Sequence, residues 1–527
     1  MPVLLCRSAS PPRAGFDYWC ALTGAAEPAR LHQAMRLPGL AARLESAFDK
    51  SVDEWWNIAQ ALGQEPSSIL AHTPSCAANI SDFGLMLAWT HLVDEWAAGK
   101  DTVLALCDDP WLFRHLVQRP GVRRFSSAPA LFWTETRLKL RGLLARLAAG
   151  NRFAGWARQL AKHSKSCPSD KPSLLVYAHP GSSAEGDDAY FGPLMKEVPE
   201  LVRLLHVDGA PEMALPLCAD GRSFSLHGFG NPGFARRLWK FRWQPVMTDN
   251  WLVRRAAALE GATAQAAAIA WQIHCMVNWL DRARPKSVAW PWENHSWERV
   301  LARAAKTRRV PTIGYQHATV GWREWNYALH SNLDGLASFP DRIVTAGQAS
   351  LNRLMRYGCP RHLLSIGGAL RFQAPPAARH DPGAPVFVAL PFDGDIARQM
   401  ISALRPLAAQ GKRFLVKEHP LNPVHIAAEA GIEPTPLRLG EVGAVSAVFY
   451  CLTTVGLEAV LAGLPTIRFL PEGKVPVDIL PDGLQIPCAD ALSLADVLSA
   501  AKAPQPLDAG QIFAPADMAL WAEMLRA

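Results

Sequence analysis

VSAVFYCLTTVGLEAVLAGLPTIRF, residues 445–469, is the stretch from which the fold follows. Residues 445–450 form an apolar run of strand length, 451–454 a turn, and 455–462 a helix stopped by Gly463 and Pro465. Residues 466–469 then make a second apolar strand. A strand apolar at successive positions is buried on both faces, the condition of a parallel sheet covered by helices. Two such strands joined through a helix make a right-handed crossover unit.

The same texture extends outward. Strand 386–390, helix 396–409 and strand 413–416 precede the quoted unit, and a Pro- and Ala-rich linker, 374–385, precedes them. Further upstream, strands are expected at 174–177, 202–207, 287–290, 312–315, 342–345 and 364–366, with helices at 297–306 and 348–357. A linker at 164–172 separates this block from residues 1–165. The expected architecture is α/β: two Rossmann-like, doubly wound domains, 170–375 and 380–527, facing a cleft, behind a mostly helical accessory region, 1–165. That region has Trp55, Trp56, Trp89 and Trp96 and one strand, 102–107, stopped by Asp108, Asp109 and Pro110. In open sheets of this kind ligands bind beyond the carboxyl ends of the strands, so chemistry is sought there.

Composition removes several function classes. The 527 residues are 49% hydrophobic and 19% charged, and 54 basic against 47 acidic residues leave a net charge of +7, so a disordered chain and a nucleic-acid-binding polycation are both excluded. Ten cysteines without a C-x-x-C spacing argue against a disulfide framework or zinc ribbon and suit a reduced, cytosolic core. The apolar run 3–6 is too short for a signal peptide. Residues 261–280 carry no charge but are Ala-rich and include Gln265, Gln272, His274 and Asn278, which fits a buried helix better than a membrane span. Charge is concentrated instead in 111–165, where twelve Lys or Arg face one acid, Glu135. Leu131, Phe132, Trp133, Leu140, Leu144 and Leu147 are interleaved there, which describes either a solvated helix packed on a domain or one that meets an anionic membrane. A second basic-aromatic run includes Arg236, Arg237, Trp239, Lys240 and Arg242.

Chemistry-bearing residues gather at strand ends. Strand 413–416 runs into Lys417, Glu418, His419 and Pro420, and strand 445–450 leads to Thr453 and Thr454 at the head of the helix containing Gly456 and Glu458. Hydroxyls at a helix N-terminus make an anion site suited to phosphate, whereas a simple N-cap needs only one of them. In the first unit, strand 287–290 leads to Glu293 and Asn294, and strand 312–315 to Gln316 and His317. Glu293 and His317 are of the types that serve as general bases; a helix-capping acid and a core histidine are the plain alternatives. Trp290, Trp292, Trp297, Trp322 and Trp325 surround this region. Asp393, Gly394 and Asp395 have the spacing of a divalent-metal site, but a turn capped by Asp395 explains them without a metal. Asp108 and Asp109 read as another turn and cap, and His179-Pro180-Gly181-Ser182 as a weak nucleotide-loop echo.

The run Lys417-Glu418-His419-Pro420, followed by Thr453-Thr454-Val455-Gly456-Leu457-Glu458-Ala459 and Gly463-Leu464-Pro465, resembles the His–Pro and Ser/Thr-pair motifs of GT-B glycosyltransferases of bacterial surface polysaccharide biosynthesis. Capsule Kdo transferases, bacterial sialyltransferases and teichoic-acid glycerophosphotransferases are the nearest of these. Asp108-Asp109-Pro110-Trp111, Trp292-Glu293-Asn294, Gly314-Tyr315-Gln316-His317 and Gly368-Ala369-Leu370-Arg371 also look like segments of surface-carbohydrate biosynthesis proteins. The resemblance implies an inverting, metal-independent transferase that uses a nucleotide-activated sugar, often a CMP-linked one such as Kdo, and no further cofactor. His419, Thr453 and Thr454 would hold the donor phosphate beside Lys417, Pro420 and Gly456, and Glu458 would reach the ribose. Glu293 or His317 would deprotonate the acceptor, with Asn294, Gln316, Arg371 and Asp393 as further cleft residues. A glycan or lipid-linked acceptor in lipopolysaccharide or capsule assembly, and a cytoplasmic location peripheral to the inner membrane, complete the expectation. The sequence departs from sialyltransferases in having Thr-Thr for the usual serines and in lacking their acid-acid-Gly motif. A nucleotide-sugar 2-epimerase shares the two-unit architecture without an acceptor, and a non-catalytic glycan- or membrane-binding assembly protein is the alternative from another class.

Overall fold

The computed structural model describes residues 2–78, 80–331, 335–371, 377–420, 422–477 and 479–526. Residues 374–376 of the expected second linker lie outside that set. Three parallel sheets organise the chain. The first joins β1 (Val3–Cys6), β2 (Tyr18–Ala21), β3 (Val103–Leu106) and β4 (Val122–Arg124) in the order β2-β3-β1-β4. The second joins β5 (Ser173–Val176), β6 (Val202–Leu205), β7 (Ser223–Ser225), β8 (Val288–Pro291), β9 (Thr312–Gln316), β10 (Arg342–Thr345) and β11 (Leu364–Ile366) in the order β11-β10-β9-β8-β5-β6-β7. After the short pair β12 (Arg379–His380) and β16 (Ala444–Val445), the third sheet contains β13 (Val386–Ala389), β14 (Phe414–Lys417), β15 (Ile432–Pro434), β17 (Ala447–Tyr450), β18 (Thr466–Phe469) and β19 (Cys488–Ala489). Its order is β15-β14-β13-β17-β18-β19.

The third sheet shows why its sequence was legible. Val386 and Val388 of β13 face one core cluster with Phe449, while Phe387 and Ala389 face another with Val448 and Tyr450. Successive side chains point to opposite faces, so a four-residue apolar run fills two cores at once. The expected single strand 445–450 is broken in two, because Ser446 N–H turns to the Pro385 carbonyl (3.0 Å) between β16 and β17.

Residues 1–165 are mostly helical, with helices Leu40–Lys50, Val52–Gly63, Phe83–Ala97, Pro110–Leu116 and the 34-residue Leu131–Ser164. They also build the first parallel sheet, of which only β3 was anticipated. Helix Gln265–Ala283 is buried along Ala266, Trp271, Cys275 and Trp279. Among the described residues no helix is long and apolar enough to cross a membrane. None of the ten cysteines is in a disulfide bond.

The last helix, Met518–Arg526, returns to the second sheet. Trp521 packs among Leu174, Val176 and Tyr315 and donates to the Gly367 carbonyl at 3.1 Å, and Ser287 Oγ donates to the Leu525 carbonyl at 2.6 Å.

Candidate functional site

Strand order reverses at β5/β8 in the second sheet and at β13/β17 in the third. At such a switch the connections leave on opposite sides and open a crevice beyond the carboxyl ends. His179 follows β5 and Glu293 follows β8; Asp393 follows β13 and Thr453 follows β17. Most of the residues singled out by strand position therefore stand at, or one strand away from, these two crevices.

Glu293 stands at the first. Its side chain is 35% exposed, yet packed surroundings withdraw enough water to push its pKa up to about 7. The backbone around it is held rigidly. Glu298, on the following helix, accepts from Trp290 Nε1 (2.9 Å) and from the N–H groups of Glu293 (2.9 Å), Asn294 (3.1 Å) and His295 (3.2 Å). Asn326 Nδ2 donates to the Glu293 carbonyl (2.6 Å), and Asn294, at φ 58°, donates through Nδ2 to the Asn326 carbonyl (2.7 Å). Glu298 is thus a clasp for the loop, with a pKa raised to about 8 by burial and by Glu293 against the donors that favour its charge. Glu324 lies close enough for Glu293 to raise its pKa further; burial, the larger cause, takes it to about 8.

An aromatic wall rises beside Glu293. Tyr190 meets His317 edge-on at 5.1 Å, Tyr177 at 5.9 Å and His179 at 6.0 Å, and the Arg371 guanidinium lies 5.5 Å from its ring centre. Burial first, then Arg371, lowers the His317 pKa to about 3, so the ring is neutral and a weak base. His317 Nδ1, Gln316 Oε1 and Asn326 Oδ1 are shielded from water and have no hydrogen-bond partner among the described residues. Each such atom costs about 1–3 kcal/mol.

The facing wall comes from the third sheet. His419 follows β14, stacks edge-on with Phe392 at 5.5 Å, and has its pKa lowered by burial and by the charge of His179. The two histidines, from different units, therefore sense each other across the cleft. Thr454 occupies the N-cap position of helix Val455–Leu461 but its hydroxyl caps nothing; it donates to Glu458 Oε1 at 3.3 Å. Thr453 Oγ1 is buried and has no hydrogen-bond partner among the described residues. The simple-cap explanation of the two hydroxyls therefore does not describe them. Leu452, just before them, has φ 55°, a conformation costing a branched residue about 1–2 kcal/mol and typical of ligand-binding turns. Gly456 is required by packing, since a Cβ there would lie 2.2 Å from the buried Tyr450 ring. Burial raises the Glu458 pKa, while Arg438 and Arg371 oppose the rise. Arg371 thus acts electrostatically on both walls.

Other expected residues are otherwise engaged. Lys417 Nζ donates to the Pro436 carbonyl, and Pro420 is exposed. Asp393, rather than Asp395, is the N-cap of helix Gly394–Ala409, accepting from Asp395 N–H (2.8 Å) and Ile396 N–H (3.1 Å) and pairing with Lys474 Nζ at 2.5 Å. Asp109 caps helix Pro110–Leu116 and pairs with Arg255 (2.7 Å). Among the described residues no group of three or more His, Cys, Asp or Glu is arranged to hold a metal ion. Sequence reasoning passed over Tyr177, Tyr190 and Glu324 and discounted His179; only the position of His179 just past a strand pointed to it.

No protein-family model and no curated protein matches the chain. Solved structures do. UDP-N-acetylglucosamine 2-epimerase from Rickettsia bellii is 13% identical, covering 68% of this chain and 94% of its own, with a TM-score of 0.37. UDP-GlcNAc 2-epimerase from Methanocaldococcus jannaschii, in complex with UDP-GlcNAc and UDP, is 9% identical over 67% of this chain and 98% of its own, with a TM-score of 0.41. HepE from Anabaena, in complex with UDP, is 12% identical over 63% and 89%, with a TM-score of 0.35. The recurrence of epimerases overturns the expected inverting glycosyltransferase and gives the expected glycan or lipid-linked acceptor no support. The physical reason for the misreading is that a His–Pro turn and a hydroxyl pair report how a phosphate is gripped, not what happens to the sugar.

Proposed function

We propose that this protein converts a nucleotide sugar to its C2 epimer, with no second substrate. The observation that carries the reading is Glu293: a carboxyl at a topological switch crevice with a pKa near 7, the value that best serves proton transfer at neutral pH. His419, Thr453, Thr454 and Glu458 stand on the opposite wall, as a nucleotide grip requires. A sugar C2 proton without a neighbouring carbonyl is not acidic, so its removal must be coupled to another bond. In the proposed step Glu293 takes the C2 proton while the C1–O bond to the nucleotide phosphate breaks, leaving a C1–C2 double bond. Hydrogen bonds from the His419–Thr453 wall stabilise the departing phosphate. Return of a proton to the opposite face of C2, with re-addition of the phosphate at C1, restores the balance; Glu324, protonated at neutral pH, is the donor for that return. His317, a weak base, is a neutral hydrogen-bonding wall residue in this scheme.

The test incubates the full chain in D2O with UDP-GlcNAc, and with other UDP-, CMP- and GDP-sugars, without any acceptor. An epimer carrying deuterium at C2 is expected, and Glu293→Gln should lower its formation at least a hundredfold while nucleotide still raises the melting temperature. Thermal stabilisation by these ligands with no epimer and no deuterium exchange would overturn the reading in favour of a binding protein.

A further inference from the structure

We propose that the first half of helix Leu131–Ser164 docks this protein on an anionic lipid bilayer. The inner face of the helix is committed to its own fold: a Cβ at Gly142 would come within 1.8 Å of the Gly261 carbonyl, and one at Gly150 within 2.6 Å of the Ala235 carbonyl. Arg146, buried on the same face, donates to the carbonyls of Gly261 (2.8 Å) and Trp239 (3.1 Å). The opposite face is left open. Phe132 and Trp133 are each 71% exposed and Leu144 67%, and Leu140, Leu143 and Leu147 are exposed beside them. At 3.6 residues per turn these six fall within an arc of roughly 120°, a continuous apolar stripe. Trp239, whose carbonyl accepts from Arg146, is also exposed, with Lys240 Nζ 5.4 Å from its ring centre.

Charge decides what covers the stripe. Arg137 and Arg141 lie along one edge and Lys139 along the other, all three exposed, in a segment whose one acid, Glu135, faces Lys139 at 3.8 Å. A second copy of the chain would bring two basic surfaces together, and like charges across an interface oppose association. An anionic bilayer satisfies both features: apolar side chains enter the acyl boundary, tryptophan sits at headgroup depth, and Lys and Arg reach up to the phosphates. With no helix long and apolar enough to cross a membrane among the described residues, this helix lies on the surface. The inference is independent of the epimerase reading.

The test is cosedimentation of the full chain with vesicles of phosphatidylcholine alone or mixed with phosphatidylglycerol, at low and high salt. Binding to the mixed vesicles alone, weakened by salt, is expected. Arg137→Gln/Lys139→Gln/Arg141→Gln should reduce partitioning about a hundredfold, and Trp133→Ser/Leu140→Gln/Leu144→Gln should abolish the part that survives high salt. Arg146 stays in place because it is part of the packing. All six positions are exposed, so both variants should keep the wild-type melting temperature in the absence of lipid. Equal, negligible binding to both vesicle types would overturn the proposal, as would binding unchanged in both variants. A vesicle-independent dimer lost in the Trp133 variant would assign the stripe to self-association instead.

Discussion

Removing Glu45 should loosen the contact between three parts of the chain at once. Its carboxylate, 11% exposed on helix Leu40–Lys50, accepts both terminal nitrogens of Arg468 from β18, at 2.7 and 2.8 Å. Arg323, in the segment after β9, reaches the same carboxylate at 3.2 Å, pairs with Asp49 at 2.8 Å, and donates to the Pro476 carbonyl at 3.3 Å. Both guanidiniums are nearly buried. In Glu45→Gln both lose the carboxylate they share, and Arg323 keeps the half-buried Asp49. Breaking a buried pair by deleting one partner costs about 3–5 kcal/mol. A cavity of about 550 Å³ lined by Glu45, Asp49, Arg323 and Arg468 admits water and lowers that, so about 2–4 kcal/mol is expected. Replacing both partners is different: Glu45→Met with Arg468→Met removes both desolvation costs and should be within about 1 kcal/mol of wild type. The assay is a double-mutant cycle in urea, read on the transition that separates the units. A coupling energy below about 0.5 kcal/mol would refute the reasoning and make the cluster a crystal-like surface pairing without energetic weight.

The pKa of Glu293 makes two further expectations. Turnover should rise with pH through about 7, as Glu293 becomes a base, and fall again above about 8, as Glu324 loses the proton it returns. For stability the sign runs the other way: because the folded pKa lies above the ordinary value of 4.5, the contribution of Glu293 is fully present below about 4.5 and is lost as pH rises through about 7. The fall in melting temperature between pH 5.5 and pH 8 should therefore be smaller in Glu293→Gln than in wild type; an identical fall would show that the carboxyl titrates normally. Thr453→Val removes a hydroxyl that has no partner among the described residues, so stability should be unchanged or slightly higher, while nucleotide affinity should drop about tenfold, near 1.4 kcal/mol, by calorimetry. Unchanged affinity would separate Thr453 from the phosphate.

What could be read from the sequence follows from how far each interaction reaches along the chain. Val386 to Ala389 announce a central strand because burial on both faces leaves a mark within four residues. The strand-end positions of Glu293, His419 and Thr453 follow from the same mark, since a carboxyl end is simply where an apolar run stops. The first sheet was hidden for the complementary reason. Val3–Cys6 and Tyr18–Ala21 are too short to show a period, and their partner β3 lies about a hundred residues from the first of them. Nothing local to His179 records that it will face His419 from another sheet, or that Trp521 will close the back of the second sheet after the third is complete. The distinction between transfer and epimerisation is more distant still. Both chemistries need a gripped phosphate, a role the proposal gives to the Thr453–Glu458 helix start, which is encoded locally. They differ in whether the group opposite the phosphate meets an acceptor hydroxyl or a sugar C2 proton. In the proposed reading that difference depends on Glu293 and Glu324 acting together, 31 residues apart and on loops whose course is set by Glu298 and Asn326. Two carboxyls with pKa values pushed to about 7 and about 8 are a product of the assembled fold, so the proposed reaction could be framed only once the fold had brought them together.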